Sequence, residues 1–251
     1  MSVNDKLAMF QNNTDINGDL TFFELLDKVR NDKILYQCVI ENKNDEEINS
    51  LKLGKYQTAM IILSKYGQNI ISDYTKLILN NIPKLENNSD ILKVKKWLLN
   101  IVILLYTYSS KLSHNDFFLL HGITSSYAMI QILYYLDNKN RNNLILYYIN
   151  TLIGTYVVQG QPKVDINLSI IDEEKDDIKD NDSLNIYHKI HSFLPNKDTK
   201  TFLDEHVYKL IHIILECYQQ NIISPKCALD ALSKIKNPFH FASINTNYIR
   251  V

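Results

Sequence analysis

Cysteine is scarce in this sequence of 251 residues, and its distribution excludes two classes of protein. The three cysteines, Cys38, Cys217 and Cys227, are far apart and odd in number, and none belongs to a Cys-x-x-Cys pair. A small disulfide-bonded fold contains an even and dense set, and a cysteine zinc site contains paired cysteines. We therefore expect neither, and we expect a reducing compartment, namely the cytoplasm.

Long apolar segments and an excess of positive charge are also missing. The longest apolar run, WLLNIVILLYTY at 97–108, is too short to span a bilayer, so it predicts a buried core helix. The N-terminal segment MSVNDKLAMFQNN lacks the basic-then-apolar order of a signal peptide. A net charge of -1 provides no field that attracts nucleic acid or an anionic membrane. We expect no membrane span and no nucleic-acid partner.

Glycine-rich nucleotide motifs and nucleophile motifs are absent as well. The sequence has only 6 Gly, and it contains no GxGxxG, no GxxxxGK[ST] and no GxSxG. Nucleotide-binding folds and α/β-hydrolase chemistry therefore receive no support. The sequence is instead rich in aromatic residues, with 16 Tyr and 9 Phe, which suit a pocket with aromatic walls for a small aromatic or apolar molecule.

Alternating strand patterns are scarce, and apolar residues recur three and four positions apart along most of the chain. This spacing predicts an all-α fold. The segment 41–50 is predicted to be a polar linker. The predicted helices lie at 20–31, with a second short helix continuing to Ile40, and then at 54–66, 68–82, 90–110, 114–137, 141–159, 183–193, 200–221 and 224–236.

The predicted organisation is one all-helical domain, a multi-helix bundle. We expect its helical core at 54–160 and 183–236, peripheral N-terminal helices at 1–50, and an exposed, mobile acidic loop at 163–182. This loop contains DEEKDDIKD, in which acidic residues outnumber lysines. A calcium loop needs a glycine for its tight turn, and this run has none, so a solvated loop is the better interpretation.

Several helix starts carry a capping pattern. Thr21 with Glu24 matches a capping box, and Ser224 followed by Pro225 is a strong start signal. Ser89 is a plausible N-cap for the apolar helix. The same kind of pattern recurs at Ser113 with Asp116 and at Thr201 with Asp204.

The segment DFFLLHGITSSYAMIQILYYL at 116–136 places His121, Thr124, Ser125 and Ala128 along one line of an apolar helix. Because no side of this helix is clearly polar, we expect it inside the protein. One interpretation is a core histidine satisfied by a neighbouring carbonyl group. The other is a small polar pocket, in which the hydroxyls leave room beside the imidazole.

The segment TFLDEHVYKLIHIILECY at 201–218 combines His206 with Lys209 one helical turn later, beside an apolar stripe. A lysine in this position can extend along the apolar surface so that its ammonium group reaches water. Alternatively, a desolvated lysine can act as an amine or be carbamylated, and it then offers oxygen atoms as metal ligands.

His188 and His191 lie three positions apart in IYHKIHSF, a spacing at which one helical face can offer two nitrogen atoms to a metal. The segment does not match the zinc-protease pattern, which requires a glutamate between the histidines and a downstream ligand. Surface or core histidines are therefore the alternative interpretation.

Three segments, DFFLLHGITSSYAMIQILYYL, TLIGTYVVQGQP and DEHVYKLIHIILECY, occur in an order and spacing that resemble the questin oxidase-like family, mainly over 113–236. The resemblance implies an all-helical oxidoreductase and, by the chemistry of some members of the family, a non-heme iron oxygenase acting on an aromatic or quinone-like molecule. It further implies iron ligands at His121 and His206, carbamylated Lys209 as a third, and His188 or His191 as an additional one. Thr124, Ser125 and Ala128 would line the pocket, and NADPH is possible as a reductant.

The N-terminal half departs from the family pattern. In KYQTAMIILSKYG, Gln57 stands where the family has a histidine and Ala59 where it has a proline, so Gln57 is a candidate pocket-lining residue. The sequence contains no histidine before His114. Two functions therefore remain. The first is a divergent oxidoreductase with an incomplete ligand set, which includes the case of an inactive pseudoenzyme. The second is a non-catalytic helical protein that binds an apolar ligand or a partner helix.

Overall fold

The computed structural model describes residues 18–109, 117–166, 180–194, 203–235 and 238–239. These residues contain no β-strand, and Ser109 and Val164 form only an isolated antiparallel bridge. The predicted all-α fold is confirmed. The helices are α1 (Phe22–Asp32), α2 (Ile34–Glu41), α3 (Glu46–Ser50), α4 (Lys55–Tyr66), α5 (Gln68–Lys76), α6 (Asp90–Tyr108), α7 (Phe117–Leu133), α8 (Asn138–Val158), α9 (Asp180–His191), α10 (Glu205–Gln219) and α11 (Pro225–Ser233), with a 3-10 helix at Leu79–Asn81.

The chain divides into two compact units, with boundaries after Lys84, Leu136 and Lys163. The first unit contains α1 to α5 and α8. The second contains α6, α7, α9, α10 and α11. The organisation as one domain, with the core and peripheral ranges given above, stays a prediction. Most of the acidic loop (167–179) and the cap candidates Ser113, Asp116 and Thr201 lie outside the described residues.

In the first unit, α8 packs against α1, α2, α4 and α5. Its buried apolar side chains, which include Ile145, Ile149 and Leu152, supply the contact surface. A Cβ atom added at Gly154 would lie 3.2 Å from the Met60 methyl group, so the absence of a side chain at this position permits the close approach of α4. The hydroxyl groups of Tyr56 and Thr155 share a hydrogen bond of 3.0 Å between the same two helices.

Two of the predicted caps are confirmed. The Thr21 backbone donates to Glu24 Oε2 (2.8 Å), and the Glu24 backbone donates to Thr21 Oγ1 (3.3 Å), which completes the capping box of α1. The Cys227 backbone donates to Ser224 Oγ (3.2 Å) at the start of α11. Each bond satisfies a backbone donor that has no partner within the helix.

Ser89 precedes α6 as predicted, but its side chain does not cap the helix. Its backbone is already helical (φ -68, ψ -23), whereas a capping residue needs an extended backbone to turn its oxygen towards the first turn. The carboxylate of Asp90 instead accepts hydrogen bonds from the Glu86 and Asn87 backbones, both at 3.1 Å. This carboxylate therefore orders the turn that leads into α6.

The prediction of a polar linker at 41–50 was wrong in part, because this segment includes the short helix α3. Asp45 caps it by accepting a hydrogen bond from the Ile48 backbone (2.9 Å). The same carboxylate contacts Lys65 (3.0 Å) and accepts a hydrogen bond from Tyr66, both on α4. Contacts with a neighbouring helix therefore stabilise a segment that lacks apolar periodicity.

In the second unit, α6 is the buried core helix that its composition predicted. Leu98, Leu99 and Ile103 have no exposed surface, and α6 packs against α7 and α11. Helix α10 packs against α7 and α11, and α9 packs against α11. Among the described helices, none is long and apolar enough to cross a membrane.

The three cysteines are free and buried, which agrees with the expectation that they form no disulfide framework. Burial raises the pKa of Cys38 to about 11. Burial also raises the pKa of Cys217 and Cys227 to about 12. At neutral pH the side chains are therefore thiols, which are poor nucleophiles and poor metal ligands.

Candidate functional site

Helices α7 and α10 of the second unit bring two imidazoles together. The ring centroids of His121 and His206 are 5.3 Å apart. Tyr127 and His212 lie the same number of residues further along their helices, and their ring centroids are 6.0 Å apart. The two helices are therefore parallel, and side chains at corresponding positions of α7 and α10 meet along their contact.

Phe117 lies at the start of α7 and contacts both imidazoles. Its ring centroid is 4.2 Å from that of His121 and 5.0 Å from that of His206. Phe117 is half-buried, as is His121, and the side chain of His206 is 18% exposed. The three rings therefore form a half-buried aromatic cluster at the N-terminal ends of the two helices.

The imidazole of His121 is oriented by the backbone of its own helix. Its Nδ1 donates a hydrogen bond to the carbonyl oxygen of Phe117, at 2.6 Å. In the neutral ring this contact places the proton on Nδ1 and the lone pair on Nε2. A neighbouring carbonyl group therefore satisfies one ring nitrogen, as the core-histidine interpretation expected, and the other nitrogen keeps the character of a ligand or base.

The imidazole of His206 is oriented by a carboxylate. Its Nδ1 donates to Asp204 Oδ1 at 2.7 Å, and the His206 backbone donates to the same oxygen at 2.9 Å. Asp204, which was predicted to form a capping pattern with Thr201, is the N-cap residue of α10. The Nε2 atom lies 3.8 Å from Glu205 Oε1. Both histidines thus use Nδ1 for orientation.

Lys209 lies one turn after His206, and its side chain is 53% exposed. Its Nζ is 3.6 Å from Glu205 Oε1, so the ammonium group forms an ion pair along the surface of α10. A carbamate at this position would lose the pair, because both groups would then be negative. The position of Lys209 agrees with the first interpretation from the sequence, in which the ammonium group reaches water.

The hydroxyl line on α7 is directed to the helix backbone. Thr124 Oγ1 donates to the His121 carbonyl at 3.4 Å, and the Ser125 hydroxyl donates to the same carbonyl. Ser125 and Ala128 are exposed, whereas Thr124 is half-buried. The expectation that this helix has no solvent face was therefore wrong, because exposed small residues and hydroxyls satisfied by the backbone make that face compatible with water.

The remaining candidates lie elsewhere. His188 and His191 are exposed on α9, while Ile186 supplies the buried side of that helix. Gln57 is exposed on α4 in the first unit. Within the described parts of the chain, no group of three or more His, Cys, Asp or Glu side chains is arranged to hold a metal ion.

The sequence did not reveal a second polar cluster, centred on Glu216 of α10. Lys95 of α6 contacts Glu216 Oε1 at 2.6 Å, and the Tyr127 hydroxyl donates to Glu216 Oε2 at 2.6 Å. The side chains of Lys95 and Glu216 are only 12% and 21% exposed. No local pattern indicates this cluster, because its members belong to three helices that are distant in sequence.

The charges of this cluster are mutually stabilised. Burial opposes ionisation of Glu216, but hydrogen bonds from Lys95 and Tyr127 outweigh it, so that the pKa of Glu216 lies below its ordinary value. The hydrogen bond to Glu216 and partial burial raise the pKa of Tyr127 to about 12. The cluster therefore fixes α10 against α6 and α7. Two of these helices, α7 and α10, carry His121 and His206.

Comparison with known proteins gives one result. The model of a protein family described as questin oxidase-like matches residues 4–214. This match includes the N-terminal half, in which the sequence motifs were missing, and ends within α10. Neither the curated proteins nor the solved structures contain a significant match.

Proposed function

Because the chain belongs to the questin oxidase-like family, we propose that it is an oxidoreductase with its site at the imidazoles of His121 and His206. The substrate we propose is a small aromatic or quinone-like molecule. The observation that carries this proposal is the convergence of two imidazoles from separate helices, each with Nδ1 bonded to an internal acceptor.

Two observations support a metal ion shared by these histidines. Imidazoles that share one cation at about 2.1 Å from each nitrogen have ring centroids roughly 5 Å apart. The observed separation is 5.3 Å. Metal-binding histidines usually donate their second ring N–H to a carboxylate or a backbone carbonyl. Asp204 and the Phe117 carbonyl are acceptors of these two kinds.

In this proposal His121 and His206 hold iron, and carbamylated Lys209 is the third ligand. Bound iron would activate dioxygen for oxidation of the ring, and the electrons that dioxygen consumes would come from the ring itself or from NADPH as reductant. The protein's own residues orient the two imidazoles, and Phe117 offers an apolar surface to the substrate. Carbamylation requires Lys209 to leave its ion pair with Glu205, which an exposed side chain can do by changing rotamer.

Metal analysis of freshly purified protein tests this proposal. We expect stoichiometric iron in the wild type and almost none in His121→Ala or His206→Ala, because each substitution removes one of few ligands. His212→Ala is the matched control, since His212 lies on the same helix and is 68% exposed. Equal iron content in the wild type and His121→Ala would remove His121 from the site.

Lys209 is tested separately by substitution with methionine. A carbamate ligand predicts that the wild type binds more iron in bicarbonate buffer than in buffer free of carbon dioxide, and that Lys209→Met loses this difference. Iron binding that is independent of both changes would exclude the modified lysine. A stable protein that is free of metal would instead support the non-catalytic alternative, in which the chain binds an apolar ligand or a partner helix.

A further inference from the structure

Asp204 is held at several points at the start of α10. Its backbone N–H donates to the Pro238 carbonyl at 2.9 Å. Its Oδ1 accepts from the His206 backbone at 2.9 Å and from His206 Nδ1 at 2.7 Å. Its side chain is 17% exposed. A carboxylate fixed in this way cannot reorient without breaking the helix cap, so the imidazole has a rigid partner.

The contact with the imidazole goes beyond what helix capping requires. Asp137 caps α8 in the ordinary way, by accepting from the Asn140 backbone at 2.9 Å, and its second oxygen accepts from the Asn140 amide at 2.8 Å. In Asp204 the capping oxygen itself is shared with a ring nitrogen. A negatively charged acceptor at Nδ1 favours the tautomer that carries its proton on that nitrogen and fixes the orientation of the ring.

We propose that Asp204 is a positioning residue, which couples the start of α10 to the orientation and tautomer of the His206 imidazole. This inference rests on the proposed function in so far as His206 is a ligand. The tautomer itself does not depend on a metal. The two parts can therefore be measured independently.

Two substitutions separate capping from positioning. Asp204→Ser keeps a good N-cap but removes the carboxylate, and its short hydroxyl cannot serve the backbone and the ring together. Asp204→Asn keeps an acceptor oxygen but removes the charge. Asp137→Ser is the matched control, because it makes the same change at a helix cap whose side-chain partner is an amide.

The first measurement is the tautomer of His206, read from its ring nitrogen chemical shifts in metal-free protein and assigned with His206→Ala. We expect the Nδ1–H form in the wild type, a mixture in Asp204→Ser, and no change in Asp137→Ser. A pure Nδ1–H form in Asp204→Ser would overturn the proposal, because Asp204 would then act as a helix cap only.

The second measurement is the dissociation constant for cobalt(II), used as a spectroscopic probe. Removal of a carboxylate that orients a ligand weakens metal affinity by about 10- to 100-fold. We expect this loss in Asp204→Ser, a smaller one in Asp204→Asn, and none in Asp137→Ser. If the wild type and His121→Ala bind cobalt equally, or neither binds it, the proposed metal site fails, and the tautomer measurement alone then decides the role of Asp204.

Discussion

Two lysine–carboxylate clusters, one in each unit, differ in the exposure of the lysine side chain. In the first unit, the Lys65 side chain is 40% exposed, and it contacts Asp45, which is 10% exposed, and Glu47, which is 82% exposed. In the second unit, Glu216 and Lys95 form a pair that is mostly buried. The difference therefore teaches that the lysine of the second cluster is held within the helix packing, in the unit that also carries the imidazole pair.

The largest expected effect tests whether the apolar cores of the two units are nevertheless equivalent. Leu25 in the first unit and Leu98 in the second have no exposed surface. Substitution of either by alanine should lower the free energy of unfolding by about 2–5 kcal/mol, because it leaves a cavity. Denaturant titration measures both. A cost below about 1 kcal/mol for Leu98→Ala would show that the core of the second unit is loosely packed, and it would contradict the expectation that the two cores are equivalent.

An intermediate effect is expected for Glu216→Gln. The substitution leaves the mostly buried ammonium group of Lys95 without its counter-charge, which should cost about 1–3 kcal/mol of stability. Glu47→Gln is the control, because the pair of Glu47 with Lys65 is exposed and should contribute less than about 1 kcal/mol. Equal losses of stability in the two variants would contradict the distinction between the buried pair of the second unit and the exposed pair of the first. Iron content of Glu216→Gln then shows whether the cluster also sets the spacing of the imidazoles.

The smallest expected effect is the pH dependence of the stability that the Asp45–Lys65 pair contributes to the first unit. Hydrogen bonds from Tyr66, the Ile48 backbone and Lys65 lower the pKa of Asp45 to about 2. Because the folded-state pKa is lower than the ordinary aspartate value of 3.8, the contribution of Asp45 to stability is present above that pH and is lost as the pH falls towards 2. Asp45→Asn should flatten this acid limb of the stability curve. A wild-type curve that is already flat between these values would refute the assignment.

Local patterns in the sequence predicted much of the fold. The capping box at Thr21 and the Ser224 cap formed as expected, since both depend on residues within one turn. Ser89 failed because its backbone became helical, and α3 was missed because its support comes from Lys65 and Tyr66 of another helix. The Ser89 cap thus failed for a local reason, whereas the contacts of α3 with Lys65 and Tyr66 involve residues that are distant in sequence.

For the candidate site, the family resemblance selected His121 and His206, and their rings lie close together. Their roles as metal ligands, and that of Lys209, stay predictions. The acceptors of the imidazoles were only partly anticipated: a carbonyl was expected as an alternative, but the carboxylate of Asp204 was predicted as a helix cap and not as a partner of His206. Its two contacts follow from one side-chain rotamer, which sequence spacing does not specify.

By itself, the sequence determined the helical class, most helix positions and the absence of a disulfide framework, because periodicity, caps and cysteine spacing act over a few residues. Only the tertiary structure decided that α7 and α10 run in parallel, that Glu216 meets Lys95 and Tyr127, and that Lys209 is directed to the surface. These features depend on the rotation and register of helices packed against each other, which the burial of many side chains sets together.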